Sequence, residues 1–130
     1  MTLEAQHISV SINRPFDEVN DFLAAPQNFE LWAAGLGHGF KQVGDEWVFG
    51  ANGEVKIRFT EKNPFGIADH TVLPPDGSEV YVPLRVVANG DGSEVTLTLF
   101  RQSGMTDKEF VRDQGLVRKD LEALKAVLEK

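Results

Sequence analysis

Asp69 and His70 are the residues best suited by type to do chemistry. They stand side by side in IADHTVLPPDG (67–77), a carboxylate and an imidazole in a run that reads as a strand entering a tight turn. Such a pair moves protons when both groups face one substrate. Neighbours on a strand point to opposite faces, however, so these two are not a dyad. Hairpin counting predicts which one faces inward. With Asp76-Gly77 at the centre of the turn, Leu73 opposes Val80, Thr71 opposes Val82, Asp69 opposes Leu84 and Ile67 opposes Val86. A second turn centred on Asp91-Gly92 adds Val95, Leu97, Leu99 and Arg101 to this mostly aliphatic face. The other face collects Val72, His70, Ala68, Tyr81, Pro83, Arg85, Thr96, Thr98 and Phe100, and reads as a wet outer surface. Asp69 is therefore expected inside and His70 outside. A one-residue bulge would exchange them and make His70, Tyr81, Arg85 and Thr98 the alternative site.

A carboxylate among aliphatic side chains needs a partner. Arg101 shares the predicted inner face two strands away, roughly 10 Å at about 4.8 Å per strand. Asp113 lies in the apolar stripe of the last helix, between Phe110 and Val117. Asp69, Arg101 and Asp113 could form the polar end of a greasy pocket that orients a ligand. They could equally be a buried ion pair that sets sheet–helix register. Trp32, Trp47, Phe49, Phe59, Thr71, Val82, Leu84, Leu99, Phe110 and Val117 are the other expected lining residues. Trp47 and Phe49 turn inward with Val55 and Ile57 if the ANG loop holds three residues, and outward if it holds two.

Other chemistries lack their signatures. GLGHGF (35–40) has no GxGxxG spacing and does not join a strand to a helix, so it is read as a loop at a cavity mouth with His38 in solvent. His7, His38 and His70 are dispersed, with no HExxH or EF-hand spacing, so neither a metal nor a cofactor is expected. No Gly-x-Ser-x-Gly motif is present. The chain has no cysteine, which excludes disulfides and thiolate chemistry and fits a cytoplasmic location. A net charge of −7, with 13 basic residues scattered among 20 acidic ones, argues against nucleic acid and anionic membranes as partners. No apolar run approaches the roughly 20 residues of a membrane helix, and the first residues lack a signal-peptide pattern.

The elements that must position these residues are readable in outline. HISVSIN (7–13) alternates as a half-buried strand. RPFDEVNDFLAAP is a helix with Pro15 at its first position, Asp17 and Glu18 in the first turn, and Val19, Phe22 and Leu23 as its apolar stripe. A second short helix is expected over 27–34. Six strands follow: FKQV, EWVFG, GEVKIRFTEK, IADHTVL, EVYVPLRVVA and SEVTLTLFR, separated by glycine- and proline-containing turns. The first strand and these six make a seven-stranded antiparallel sheet. Thr106 and Glu109 form a capping box for a long last helix, with Phe110, Val117, Leu121, Leu124 and Leu128 in one stripe. The 130 residues carry no linker or repeat and are expected to form one domain, 1–130.

Residues 8–32 run I-x-V-x-I, R-P-F-D-E-V, F-L-A-A-P and N-x-x-x-W. DHTV, PDG, VPLRVV, GSEVTLTLF and VRKDLEALK follow. This series resembles the polyketide cyclase/dehydrase and lipid-transport group of the START-like (SRPBCC) superfamily, in a bacterial branch mostly without assigned activity. The resemblance implies an α+β helix-grip fold, a curved sheet wrapped around the C-terminal helix with an apolar cavity between them. Three functions follow from it as expectations. The first is binding of a small aromatic, acyl or lipid-like molecule. The second is a cyclase-type enzyme in which Asp69 and Asp113 move protons and Arg101 steadies an enolate oxygen. The third is a chaperone-activator-like interaction module, with homodimerisation through the outer sheet face. The fold alone does not choose among them.

Overall fold

The computed structural model describes residues 1–33 and 39–130. The expected rim at 35–38, with His38, and the last residue of the expected 27–34 helix lie outside the described residues. Strand β1 (Ala5–Ile12) alternates as its sequence requires, burying Ile8 and Ile12. Helix α1 (Phe16–Ala24) follows, with Pro15 extended at its N-cap rather than inside its first turn. Val19 on its inner stripe is fully buried. Pro26 opens the expected second short helix, which is a 3-10 helix over Pro26–Leu31; the Trp32 N–H bonds the Phe29 carbonyl, three residues back.

Seven further strands are β2 (Lys41–Val43), β3 (Glu46–Phe49), β4 (Val55–Phe59), β5 (His70–Leu73), β6 (Val80–Val82), β7 (Leu84–Asn89) and β8 (Gly92–Phe100). They form two antiparallel sheets, β1-β8-β7 and β2-β3-β4-β5-β6, in place of the expected single sheet of seven strands. The difference lies at Pro83. It has no N–H for a ladder, so EVYVPLRVVA breaks there into β6, paired with β5, and β7, paired with β8. Bonds from the Thr98 N–H to the Pro83 carbonyl (3.0 Å) and from the Ala68 N–H to the Leu84 carbonyl (2.8 Å) still tie the sheets together. So does a bond from the Val86 N–H to the Gly66 carbonyl (2.9 Å). Gly66, at φ +76°, is required there because a Cβ would run into the Val86 carbonyl.

The β5–β6 register is one residue from the expected one. His70 opposes Val82, Thr71 opposes Tyr81, and Val72 opposes Val80. The turn places Pro75 and Asp76 at its centre, closed by the Gly77 N–H on the Pro74 carbonyl (3.3 Å). Asp76 Oδ1 then accepts from the Ser78 N–H (2.9 Å) and hydroxyl (2.6 Å), which keeps further residues in the loop. The loop is therefore odd in length, and every side chain of the incoming strand changes face. Ala68, His70 and Val72 turn inward, while Ile67, Asp69, Thr71 and Leu73 turn outward. The β7–β8 turn is centred on Gly90-Asp91 rather than Asp91-Gly92, which shifts the pairing by two residues, so Val95, Leu97 and Leu99 stay on the inner face. Phe49 opposes Val55 and Trp47 opposes Ile57, which puts both aromatics on that face too.

Helix α2 (Asp107–Leu128) is 22 residues long, about 33 Å at 1.5 Å per residue. Its capping box is formed: the Glu109 N–H donates to Thr106 Oγ1 (3.1 Å) and the Thr106 N–H donates to Glu109 Oε1 (3.0 Å). Leu121, Leu124 and Leu128 pack with Ile8, Ile12, Val86, Val95 and Leu97 into the main core. Each such side chain contributes on the order of 1.5–3 kcal/mol of transfer free energy.

Candidate functional site

The inner face is sealed at one end and open at the other. Around the C-terminal half of α2, Ile12, Val86, Val95, Leu121 and Leu124 are all buried to 2% exposure or less. At the other end the inward residues Trp47, Phe49, Phe59, Val72, Val82 and Leu99 remain only half-buried. So do Asp113, Gln114 and Val117 on the facing part of α2. Between Phe110 and Leu121 no residue of the helix is fully buried.

Aromatic rings furnish this open end. Phe40 stacks on Trp47 with centroids 5.1 Å apart and planes 15° from parallel. Phe29 meets Trp32 at 5.2 Å and Phe59 at 5.3 Å, both edge-to-face. A groove of about 470 Å³ reaches Trp47, Ile57 and Phe59 from the side, past Ala24 and Pro26 where α1 meets the 3-10 helix. Its basic rim charges are paired: Lys56 with Glu46 (2.9 Å), Arg58 with Glu79 (3.0 Å), and Lys62 with Asp21 (3.5 Å).

His70 projects into the same cluster, 5.1 Å from the Phe29 ring and 6.0 Å from Phe59. Burial pushes its imidazole down to about 4, against the opposing pull of the Ala68 carbonyl and the Asp69 charge. It is a neutral hydrogen-bonding group in an apolar setting.

Asp69 stands on the outer face, contrary to the expected placement. Its carboxylate accepts from the Tyr81 hydroxyl (2.6 Å), the Leu84 N–H (2.9 Å), and Arg85 through Nε and Nη2 (both 2.8 Å). Desolvation works to raise its pKa, but the donors from Arg85, Tyr81 and Leu84 outweigh it and hold the group below the ordinary aspartate range. Four donors on one carboxylate clamp β5 to the β6–β7 junction at Pro83. This is the ion-pair role weighed for Asp69, with Arg85 rather than Arg101 as its partner.

The expected trio is not brought together. Arg101 Nε and Nη2 donate to the Met105 carbonyl (3.1 and 2.8 Å), and Nη1 bonds Glu4 and Asp107. Its guanidinium lies 5.9 Å from the Phe110 ring centroid. Asp113 stays on the inward stripe of α2 without either intended partner. Thr71 leaves the inner face beside Tyr81, whereas Val82, Leu84 and Leu99 keep it. Trp32 and Phe110 are buried in packing. The alternative set divides: His70 is inside, while Tyr81, Arg85 and Thr98 remain outside, with Thr98 Oγ1 3.1 Å from His7 Nδ1. Sequence reasoning missed Phe29, Phe40 and Gln114. The first two were visible as aromatics flanking the glycine-rich segment. Gln114 is one position beyond Asp113 on the same helical stripe.

No family model matches the chain, and no curated protein does. Solved structures do. The KanY protein aligns over all of both chains at 17% identity and a TM-score of 0.75. DynU16, a protein of the dynemicin biosynthetic locus, aligns over 97% of this chain at 17% identity and a TM-score of 0.70; the chain spans 47% of that one. Ara h 8.0201 aligns over 97% of both chains at 10% identity and a TM-score of 0.60. What is shared with these structures is the fold, antiparallel sheet packed with a long C-terminal helix. No described helix is long and apolar enough to cross a membrane.

Proposed function

We propose that this chain binds a small hydrophobic molecule with an aromatic portion, held between the inner sheet face and the N-terminal half of α2. The contrast between the two ends of the inner face carries the reading. A sheet and helix that only needed each other would bury Val72, Val82, Leu99 and Val117 as completely as Val95 and Leu124. Half-buried apolar side chains facing inward, among stacked rings and beside a groove, are what a ligand would cover. The solved neighbours share the sheet-and-helix architecture that frames this space. Native mass spectrometry of the purified protein tests it. A retained or added aromatic at one copy per chain is expected, and a chain that stays bare under saturating aromatic ligands would refute it.

The cyclase-type alternative loses the constellation it required, since Asp69 faces outward and Arg101 is tied to the turn before α2. The interaction-module alternative keeps one specific observation. On the outer face, Leu3, Tyr81 and Phe100 line an apolar groove of about 330 Å³, with Tyr81 and Phe100 stacked at 6.5 Å. Homodimerisation there would appear in sedimentation velocity as a dimer abolished by Tyr81→Asp.

A further inference from the structure

We propose that the ligand of the open end carries hydrogen-bond donors and no negative charge: a neutral or cationic aromatic, not an acid. This rests on the pocket reading above and names the chemical class it would take.

The groups facing inward at this end are unevenly divided by sign. Phe40, Trp47 and Phe59 supply ring faces. The polar groups among them are His70 on β5 and Asp113 and Gln114 on α2. The imidazole of His70 is neutral, so a ring nitrogen that carries no proton can accept. Asp113 is half-buried on the stripe of Phe110, Val117 and Leu124, and among the described residues it has no hydrogen-bond or ion-pair partner. That separates it from Asp69 and Asp107, which are both held by arginines.

Several basic side chains near this end are committed elsewhere, and Lys41, Lys108 and Arg112 are exposed on the sides of β2 and α2 away from the inner face. Arg101 gives its donors to Met105, Glu4 and Asp107. Lys56, Arg58 and Lys62 on the groove rim face Glu46, Glu79 and Asp21, and Arg85 holds Asp69 on the outer face. Residues 34–38, AGLGH, add neither lysine nor arginine. A ligand carboxylate or phosphate would be desolvated beside Asp113 with no inward-facing cation to receive it. An ammonium or a hydroxyl would meet an acceptor instead, and a cation would gain the faces of the rings as well.

Three probes on one skeleton test this by isothermal titration into the full chain at neutral pH: naphthylmethylammonium, naphthol and naphthoate. The first two are expected to bind about tenfold or more tighter than naphthoate, and Asp113→Asn should cut the ammonium-over-naphthoate preference by about tenfold. If naphthoate binds as tightly as the others, the donor inference is overturned and the pocket stands. An ammonium preference that survives Asp113→Asn also overturns it, because general attraction to a chain of net charge −7 would then suffice. If no probe saturates, the pocket and the inference fall together. An unchanged thermal midpoint in Asp113→Asn establishes that the variant is folded.

Discussion

Acidification should destabilise this protein from about pH 6.5 downward, and His70 is the reason. In the unfolded chain its imidazole takes a proton near 6.5, whereas in the folded chain burial among Phe29 and Phe59 delays this to about 4. Between those values the unfolded state binds more protons, so stability falls as the pH falls. The contribution is fully present above about 6.5 and has been lost by about 4. The interval corresponds to roughly 3 kcal/mol, a large part of the 5–15 kcal/mol typical of a domain. Asp69 does not confuse the window. Its carboxyl lies below the ordinary aspartate range, so its stabilisation is lost only as the pH drops through that lower region. Urea unfolding followed by circular dichroism at several values across the window gives the slope. His70→Phe keeps a ring in the cluster and removes the titration. Its absolute stability can shift either way, but its pH slope should be flatter than that of the parent. Parallel slopes would refute the reasoning, as would an NMR titration placing the His70 imidazole near 6.5.

Two further outcomes follow from the division of the inner face and from the outer clamp. Leu124→Ala, at the sealed end, should lower unfolding free energy by about 2–5 kcal/mol in urea titrations. Val82→Ala, at the open end, should lower it by about 1 kcal/mol or less, since its side chain is already partly in solvent. Asp69→Asn removes the negative charge and one of the two oxygens that accept from Arg85, Tyr81 and the Leu84 N–H. Because Arg85 is half exposed, the loss should be only about 1–2 kcal/mol, read as a lowered urea midpoint with ligand affinity unchanged.

The parts of the fold visible in the sequence are those set by local pattern. The alternation of β1, the capping box at Thr106 and the buried stripe of α2 need no knowledge of distant residues. The inner face of β7 and β8 was also readable, since a two-residue shift of the pairing preserves which side chains face inward. The incoming strand was not, because its face depends on the parity of one loop. That parity was decided by Asp76 holding Ser78, a pair of side-chain bonds that the letters PPDGS permit but do not demand. Pro83 was visible within EVYVPLRVVA, yet treating that run as one strand overlooked its missing N–H. Both errors bear on the candidate site. The first exchanged Asp69 for His70, and the second concealed the break at which Asp69, Tyr81 and Arg85 meet. Asp113 was identified as facing inward because helical periodicity is unaffected by either.

The central claim is that the open end of the inner face takes up a small aromatic molecule. Amide and indole NMR shifts measured during titration with naphthol test it most directly. The account predicts saturable shifts at the Trp47 indole and at the Val82, Leu99 and Val117 amides, with Val95 and Leu124 undisturbed. Shifts confined to Leu3, Tyr81 and Phe100 on the outer face, or none that saturate, would contradict it.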